Sequence, residues 1–464
     1  MTKRIAVLFL LLVGIIVSTY ASRPLKPRLV VLTDIAPGNI EPDDMESMVR
    51  LMVYADQLEI EALITTIGWN CDPYPTEWAD SLYRVIDAYE QDVWNLMGRS
   101  GQRFFALKKE QSRQTIGYWP SPAYLRSRVA MGSQHAGIAR VGEHNDTPGS
   151  ELIIKLVDED DPRPIWVACW GGGNTLAQAI WRVKQERSKE QLQKFLNKLR
   201  VFTITDQDMV YAMRMNRAYS SHQWMRKEFA DDLLFIWDES AWLSQNELGS
   251  SHWPQYVQQI QGKGHLGKAY PTYKWGVEGD TPSFLHILPN GLHDPDHPEQ
   301  IGWAGCFNRG ICPDSLTTAW TNWQQPQKTI SRGYEERFYP AIFNDFAARM
   351  QWAENRKGNR NPVVIVNGRK GTTVMEVKAR PGKTVTLDAS RSYDPDGQQL
   401  TFKWWIQKDA GICPESISVD EQGNRASISL PKEIRNAEIH VICEVTDDAP
   451  IPLCSYRRII IHCH

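Results

Sequence analysis

An apolar run, Leu29–Leu32, leads through Thr33 into Asp34. A loop containing Pro37, Gly38 and Asn39 follows, and Asp43-Asp44 then opens a stretch carrying Met45, Met48, Val49, Met52 and Val53. The run has the length of a buried strand and the later apolar residues repeat at helical spacing, so the segment reads strand, loop, helix. It predicts a buried parallel strand whose C-terminal end carries three carboxylates, at the edge where open α/β folds place ligands. Such a group repels itself unless a cation or protons compensate. All-oxygen donors suit a hard cation, Ca²⁺ before Mg²⁺. The plainer alternative makes Asp43 or Asp44 a helix cap and Asp34 a strand end.

The same pattern recurs. Leu58–Ile67 reads as a second strand, ending at Gly68-Trp69-Asn70, and Thr76–Tyr89 as a helix. Glu151–Val157 is a helix leading into the strand Pro164–Trp170, which ends in Gly171-Gly172-Gly173-Asn174. Thr175–Lys198 is helical in two pieces, and Arg200–Thr205 is a strand ending at Asp206-Gln207-Asp208. Strands alternating with helices imply a covered, mostly parallel sheet. Ligand-capable residues fall repeatedly at strand ends: Asp34, Asn70, Asn174 and Asp206.

Helix Tyr339–Asn355 closes this region, and the polar residues 356–361 before Pro362 read as a linker. Beyond it the pattern changes to short alternating strands separated by turns such as Asp394-Pro395-Asp396-Gly397, the signature of a small β-sandwich. Two domains, 22–355 and 362–464, are expected for 464 residues. Residues 1–21 read as a secretory signal peptide: Lys3 and Arg4 precede the apolar run Ile5–Val17, and small residues follow near Ala21. The expected mature protein is exported, periplasmic or extracellular, with no membrane span. With 52 Lys and Arg against 55 Asp and Glu, the chain has no basic excess for nucleic-acid binding. Of eight cysteines, Cys443, Cys454 and Cys463 crowd the last strands, where one disulfide is expected in an exported protein. Most of the 18 tryptophans are expected to be structural.

The first domain resembles the nucleoside hydrolases. The resemblance rests on the strand ending in Asp34 with its Asp43-Asp44 pair, on Thr65-Thr66-Ile67-Gly68-Trp69-Asn70, on Gly173-Asn174-Thr175-Leu176-Ala177-Gln178-Ala179, and on Glu278-Gly279-Asp280-Thr281-Pro282. It is closer still to a secreted bacterial subfamily often labelled cellulose-binding, through Arg50-Leu51-Met52, Thr205-Asp206-Gln207-Asp208 and Gly279-Asp280-Thr281-Pro282-Ser283-Phe284-Leu285. Asp388-Ala389-Ser390-Arg391-Ser392-Tyr393-Asp394-Pro395-Asp396-Gly397 resembles the PKD-type sandwich motif.

The resemblance implies an open, mostly parallel α/β sheet followed by an Ig/PKD-like sandwich. It implies one Ca²⁺ held by Asp34, Asp44, Asp280 and the Asn174 carbonyl, with Asp34 as general base. Asp43, Asn70, Asp206 and Asp208 would contact the substrate, a glycoside or glycan. Asp294 is a rival to Asp280, which is preferred because a helix can start at Thr281, whereas Asp294 lies in a Pro-rich turn. His222, His286, His293 and His297 are candidates for the leaving-group acid. Two functions follow as expectations: a Ca²⁺-dependent glycosyl hydrolase, or a carbohydrate-binding protein that has lost turnover. The second would use aromatics such as Trp404, Trp405 or Tyr393.

Overall fold

In a computed structural model that describes residues 24–106, 113–208, 220–239 and 246–464, eight strands form one sheet. They are β1 (Arg28–Thr33), β2 (Glu59–Thr65), β3 (Val129–Met131), β4 (Ile165–Cys169), β5 (Leu199–Ile204), β6 (Leu234–Asp238), β7 (Asn308–Ile311) and β8 (Thr318–Thr321), in the order β3-β2-β1-β4-β5-β6-β8-β7. Every pairing is parallel except β7 with β8. The signal-peptide reading of residues 1–21 lies outside the described residues.

Strand β1 is buried along its whole length, and its side chains alternate between two cores: Leu29 and Val31 join one, Val30 and Leu32 the other. Helices therefore cover both faces, which explains why the strand reads as a continuous apolar run. The chain runs from β1 outward to β2 and β3, then crosses to β4 on the other side of β1. The direction of winding reverses between β1 and β4, and at such a switch point the two loops part and leave a crevice. Asp34 follows β1 at that point.

The helix expected to start at Tyr339 begins earlier and spans Gln327–Asn355, with Pro340 inside it. Proline cannot donate to the preceding turn, but burial of Phe338, Tyr339, Ile342, Phe343 and Phe346 holds the helix through it. Strands β3, β6, β7 and β8 are too short, or too irregular in alternation, to have been read from sequence.

After residue 362 the chain forms a four-stranded sheet of Met375–Ala379, Cys454–Cys463, Ala437–Asp447 and Leu400–Ile412, and a three-stranded sheet of Thr384–Asp388, Arg425–Ser429 and Asp420–Gln422. Pairing is antiparallel except between Met375–Ala379 and Cys454–Cys463. Trp404 is buried in the core of these sheets, as the alternation required. Trp405 faces the other way, but it packs on Tyr334 and Phe338 with Arg337 4.1 Å from its ring centroid, so neither indole is an exposed platform. The expected disulfide is absent: the eight cysteines are free thiols, and Cys443, Cys454 and Cys463 lie opposite Arg457, Thr446 and Ala437.

The two parts share a core. Ile442, Cys454 and Tyr456 belong to the apolar cluster that covers one face of the parallel sheet. The backbone N–H groups of Tyr456 and Arg458 donate to the carbonyls of Asn290 (3.2 Å) and Gly291 (2.9 Å). The residues read as a linker are pinned: Trp352 Nε1 donates to Asn359 O at 2.8 Å, and Arg360 pairs with Asp396 at 2.6 Å. Arg458, fully buried, donates to Leu292 O and to Gln407 Oε1, each at 2.7 Å. Arg458→Ala strips Leu292 O of its donor and leaves Gln407 Oε1 with the Ile301 N–H alone, at 3.1 Å, at roughly 1–3 kcal/mol per lost bond. Urea denaturation is expected to show a loss of about 2–5 kcal/mol, with both parts still unfolding in one transition.

Candidate metal centre

Five carboxyl groups meet at the C-terminal end of β1. Asp34 leaves the strand, Glu41 immediately precedes the helix Pro42–Val53, Asp43 and Asp44 lie in its first turn, and Asp280 arrives from a distant loop. One oxygen each from Asp34, Glu41 and Asp44 lies within 4.8 Å of the other two. All five are buried, with Glu41 and Asp43 the most accessible at 7% and 8%.

Local chemistry places each group. Pro42 starts the helix and puts Glu41 at the N-cap, where its carboxylate makes no capping bond. It accepts instead from Asn70 Nδ2. Thr33 Oγ1 donates to Asp44 and accepts from the Ile35 N–H at 3.1 Å, so strand end and helix start are tied through one hydroxyl. Gly68 leaves the room that Asp34 occupies: a Cβ there would fall 1.4 Å from Asp34 Oδ2. Asp280 is delivered from below. Glu278, on the same loop, pairs with fully buried Arg50 of the helix and accepts from Tyr270 OH at 2.9 Å, while its own N–H donates to Glu46 at 2.7 Å. These bonds lock the 278–280 turn onto the helix that carries Asp43 and Asp44, and Asp280 comes to rest against Asp44.

The electrostatics are those of an uncompensated anion cluster. Burial first, and then the neighbouring carboxylates, push Asp34 and Asp280 well above the ordinary range. Burial and Asp43 push Glu41 up to about 9 and Asp44 up to about 8, and burial pushes Asp43 to about 6. Among the described residues, no Lys, Arg or His forms an ion pair with any of the five. Both oxygens of Asp34, Asp43 Oδ1 and Asp280 Oδ2 are buried without a hydrogen-bond partner. Orphaned carboxylate oxygens in one buried, all-oxygen nest fit a hard divalent cation.

The other sequence-predicted residues fall in three places. Asn70 joins the cluster through Glu41. Asn174 and Asp208 lie along the glycine turn that ends β4. A Cβ at Gly171 would stand 2.8 Å from Asp34 Oδ1, one at Gly172 3.1 Å from Asp208 Oδ1, and one at Gly173 2.5 Å from His222 Nε2. Asn174 opens the helix Asn174–Glu186, and its Nδ2 donates to Gly137 O at 2.6 Å. Asp208 accepts from the Ser221 N–H. Asp206 is placed apart: it accepts from Ser220 Oγ at 2.8 Å and pairs with Arg226 at 3.2 Å. That buried arginine also binds Asp314 at 3.0 Å, so Asp206 is part of a structural network.

Asp294 closes its own turn, accepting from Asp296 N at 3.1 Å. Of the histidines, His222 is buried with Nδ1 3.2 Å from Thr203 Oγ1. The rings of His286 and His293 lie 4.9 Å apart, tilted by 53°, and His297 is exposed beside Glu299. Glu41 is the group that sequence reading passed over. Its signal was the Pro42 behind it, which fixes the helix start and turns the preceding carboxylate inward.

Fold and carboxylate nest together define a nucleoside hydrolase-like scaffold. Residues 28–307 match the family described as cellulose-binding Sde182, nucleoside hydrolase-like domain, and residues 384–463 match the cellulose-binding protein Sde0182, C-terminal domain. The chain belongs to this family. A solved structure, a nucleoside hydrolase-related hypothetical protein from Saccharophagus degradans associated with carbohydrate metabolism, is 33% identical with a TM-score of 0.79, over 95% of this chain and all of that one. Titin domain M7 aligns with 23% of this chain and 96% of its own at 9% identity and a TM-score of 0.15, which supports nothing further. No curated protein matches.

The raised carboxyl groups set the pH response of the chelator-stripped protein. Their folded-state pKa values exceed the unfolded ones, near 4, so the folded state holds more protons and stability falls as pH rises. Thermal unfolding of EDTA-stripped protein is expected to give its highest Tm near pH 4. The Tm then declines as pH passes the values of about 6, 8 and 9 set by Asp43, Asp44 and Glu41. Added Ca²⁺ is expected to reverse the decline at the alkaline end.

Proposed function

We propose that this protein is a Ca²⁺-dependent hydrolase of glycosyl bonds in exported carbohydrate metabolism. The observation that carries the reading is Asp34: a carboxylate at the switch point of the sheet, buried, with neither oxygen hydrogen-bonded, and ringed by four more carboxyl groups. Asp34, Glu41, Asp44 and Asp280 are the proposed ligand set. The Asn174 carbonyl implied by the resemblance remains a further candidate ligand: that residue opens a helix, its Nδ2 donates to Gly137 O, and its Oδ1 is buried without a partner. When bound, a divalent cation there lowers the pKa of a coordinated water and orients vicinal sugar hydroxyls.

The chain's own groups do the rest. Asp34 accepts the proton of the attacking water as its oxygen bonds to the anomeric carbon. Asp43 and Asn70, the latter at the exposed lip of the nest, hydrogen-bond the sugar hydroxyls. Asp208, buried beside the glycine turn and accepting from the Ser221 and Gly137 N–H groups, is the remaining candidate contact. As the glycosidic bond breaks, its electron pair leaves on the departing oxygen or nitrogen, which takes a proton from solvent; positive charge grows on the sugar ring, and the surrounding carboxylates favour it.

A second reading, carbohydrate binding without turnover, is favoured by the description of both matched family halves as cellulose-binding. Activity separates the two. With Ca²⁺ present, the wild type is expected to release sugar from aryl glycosides or nucleosides. Asp34→Asn, which keeps the shape and removes the base, is expected to lower kcat by about 10²–10⁴-fold while the fold survives, as read by circular dichroism. Glycan binding with no release of sugar by the wild type across a broad glycoside panel would select the second reading.

A further inference from the structure

Asn246 lies beside the carboxylate nest with both of its polar atoms idle. It opens the helix Asn246–Ser251 and is 3% exposed, and its Oδ1 and Nδ2 are both buried without a hydrogen-bond partner. A buried amide in that state costs stability, and native folds keep few of them.

Gly279 brings this amide to the nest. A Cβ there would stand 2.9 Å from Asp43 Oδ2, and 3.3 and 3.5 Å from Asn246 Oδ1 and Nδ2, so the two side chains flank the same bare stretch of backbone. The helix that carries Asn246 packs tightly on this loop: a Cβ on Gly249 would fall 2.4 Å from Val277 Cβ. The loop in turn is clamped to the nest by Glu278 and Arg50. The amide is therefore held in place beside the residue that precedes Asp280.

Its chemistry complements that of the nest. Ionised carboxylates only accept hydrogen bonds, whereas a sugar hydroxyl both donates and accepts. Asn70 and Asn174 have spent their Nδ2 groups on Glu41 and on Gly137 O. Asn246 keeps a donor and an acceptor free. One ring hydroxyl can donate to Asp43 and accept from the amide N–H, and its neighbour on the ring can donate to the amide oxygen.

We propose that Asn246 is a ligand contact of the nest and selects a glycosyl ring with a free vicinal diol. This rests on the proposed function in placing the sugar at the nest, and not on turnover there.

The test is calorimetric titration of the protein, with excess Ca²⁺, by D-glucose, D-galactose, D-xylose, L-arabinose and D-ribose, and by the 2-deoxy and 3-deoxy forms of the tightest binder. Asn246→Leu keeps the shape and removes both polar atoms. Asn246→Asp keeps the shape and removes only the donor. Since the amide makes no bond within the protein, Asn246→Leu is expected to leave the Tm unchanged or raise it. Both variants are expected to bind the tightest sugar roughly tenfold more weakly or worse, and to match the wild type on one of its deoxy forms. The proposal is overturned if no sugar binds the wild type at tens of millimolar, or if either folded variant binds as the wild type does. It is equally overturned if the loss is the same on both deoxy forms, or if the Tm of both variants falls by several degrees, which would make the amide a structural link. A wild type that binds sugar through Asn246 yet releases none from glycosides would strike the hydrolase reading alone.

Discussion

Mutual repulsion among five buried carboxyl groups is the constraint around which the α/β part is built. Charges of one sign, removed from water, raise one another's proton affinity until they are neutralised or a cation joins them. Among the described residues no basic side chain pairs with the nest: Arg50 is spent on Glu278, and Lys274 acts on Glu41 only as a weak opposing charge. A fold that invests in positioning such a cluster carries a standing deficit of positive charge, which a divalent ion would remove.

The surrounding structure holds that unfavourable arrangement in place. The Thr33 hydroxyl bridges strand and helix. The Arg50–Glu278 pair, backed by Tyr270 and Glu46, clamps a loop more than two hundred residues away in sequence onto the same helix. Gly68 and the Gly171–Gly173 turn remove the side chains that would fill the crevice. At the opposite edge of the sheet, the C-terminal strands pack on the long helix Gln327–Asn355 through Trp405 and dock on residues 290–292 through Arg458. That union makes one core of two patterns.

Much of this was legible in the sequence because it depends on local order. A buried strand ending in Asp34, a proline-started helix behind Asp43-Asp44, and glycines after β2 and β4 declare the fold class and one half of the nest from spacing alone. Asp280 was legible only through resemblance, since Arg50–Glu278 is a contact between distant segments. Glu41 was visible yet passed over, because a glutamate before a helix normally reads as first-turn charge. Asp206 misled for the opposite reason. It stands at a strand end, but Arg226, Ser220 and Asp314 claim it through tertiary contacts. Trp405 and the cysteines show the same limit: alternation tells which face a strand residue takes, not what covers that face.

The central claim is that the nest is a cation site. Calorimetric titration of Ca²⁺ into the EDTA-stripped protein at neutral pH, with Asp44→Ala in parallel, tests it most directly. The account requires one site in the wild type, proton release on binding that varies with buffer ionisation enthalpy, and loss of both in Asp44→Ala. A wild type that takes up no Ca²⁺, or an Asp44→Ala variant that binds it unchanged, would contradict the account.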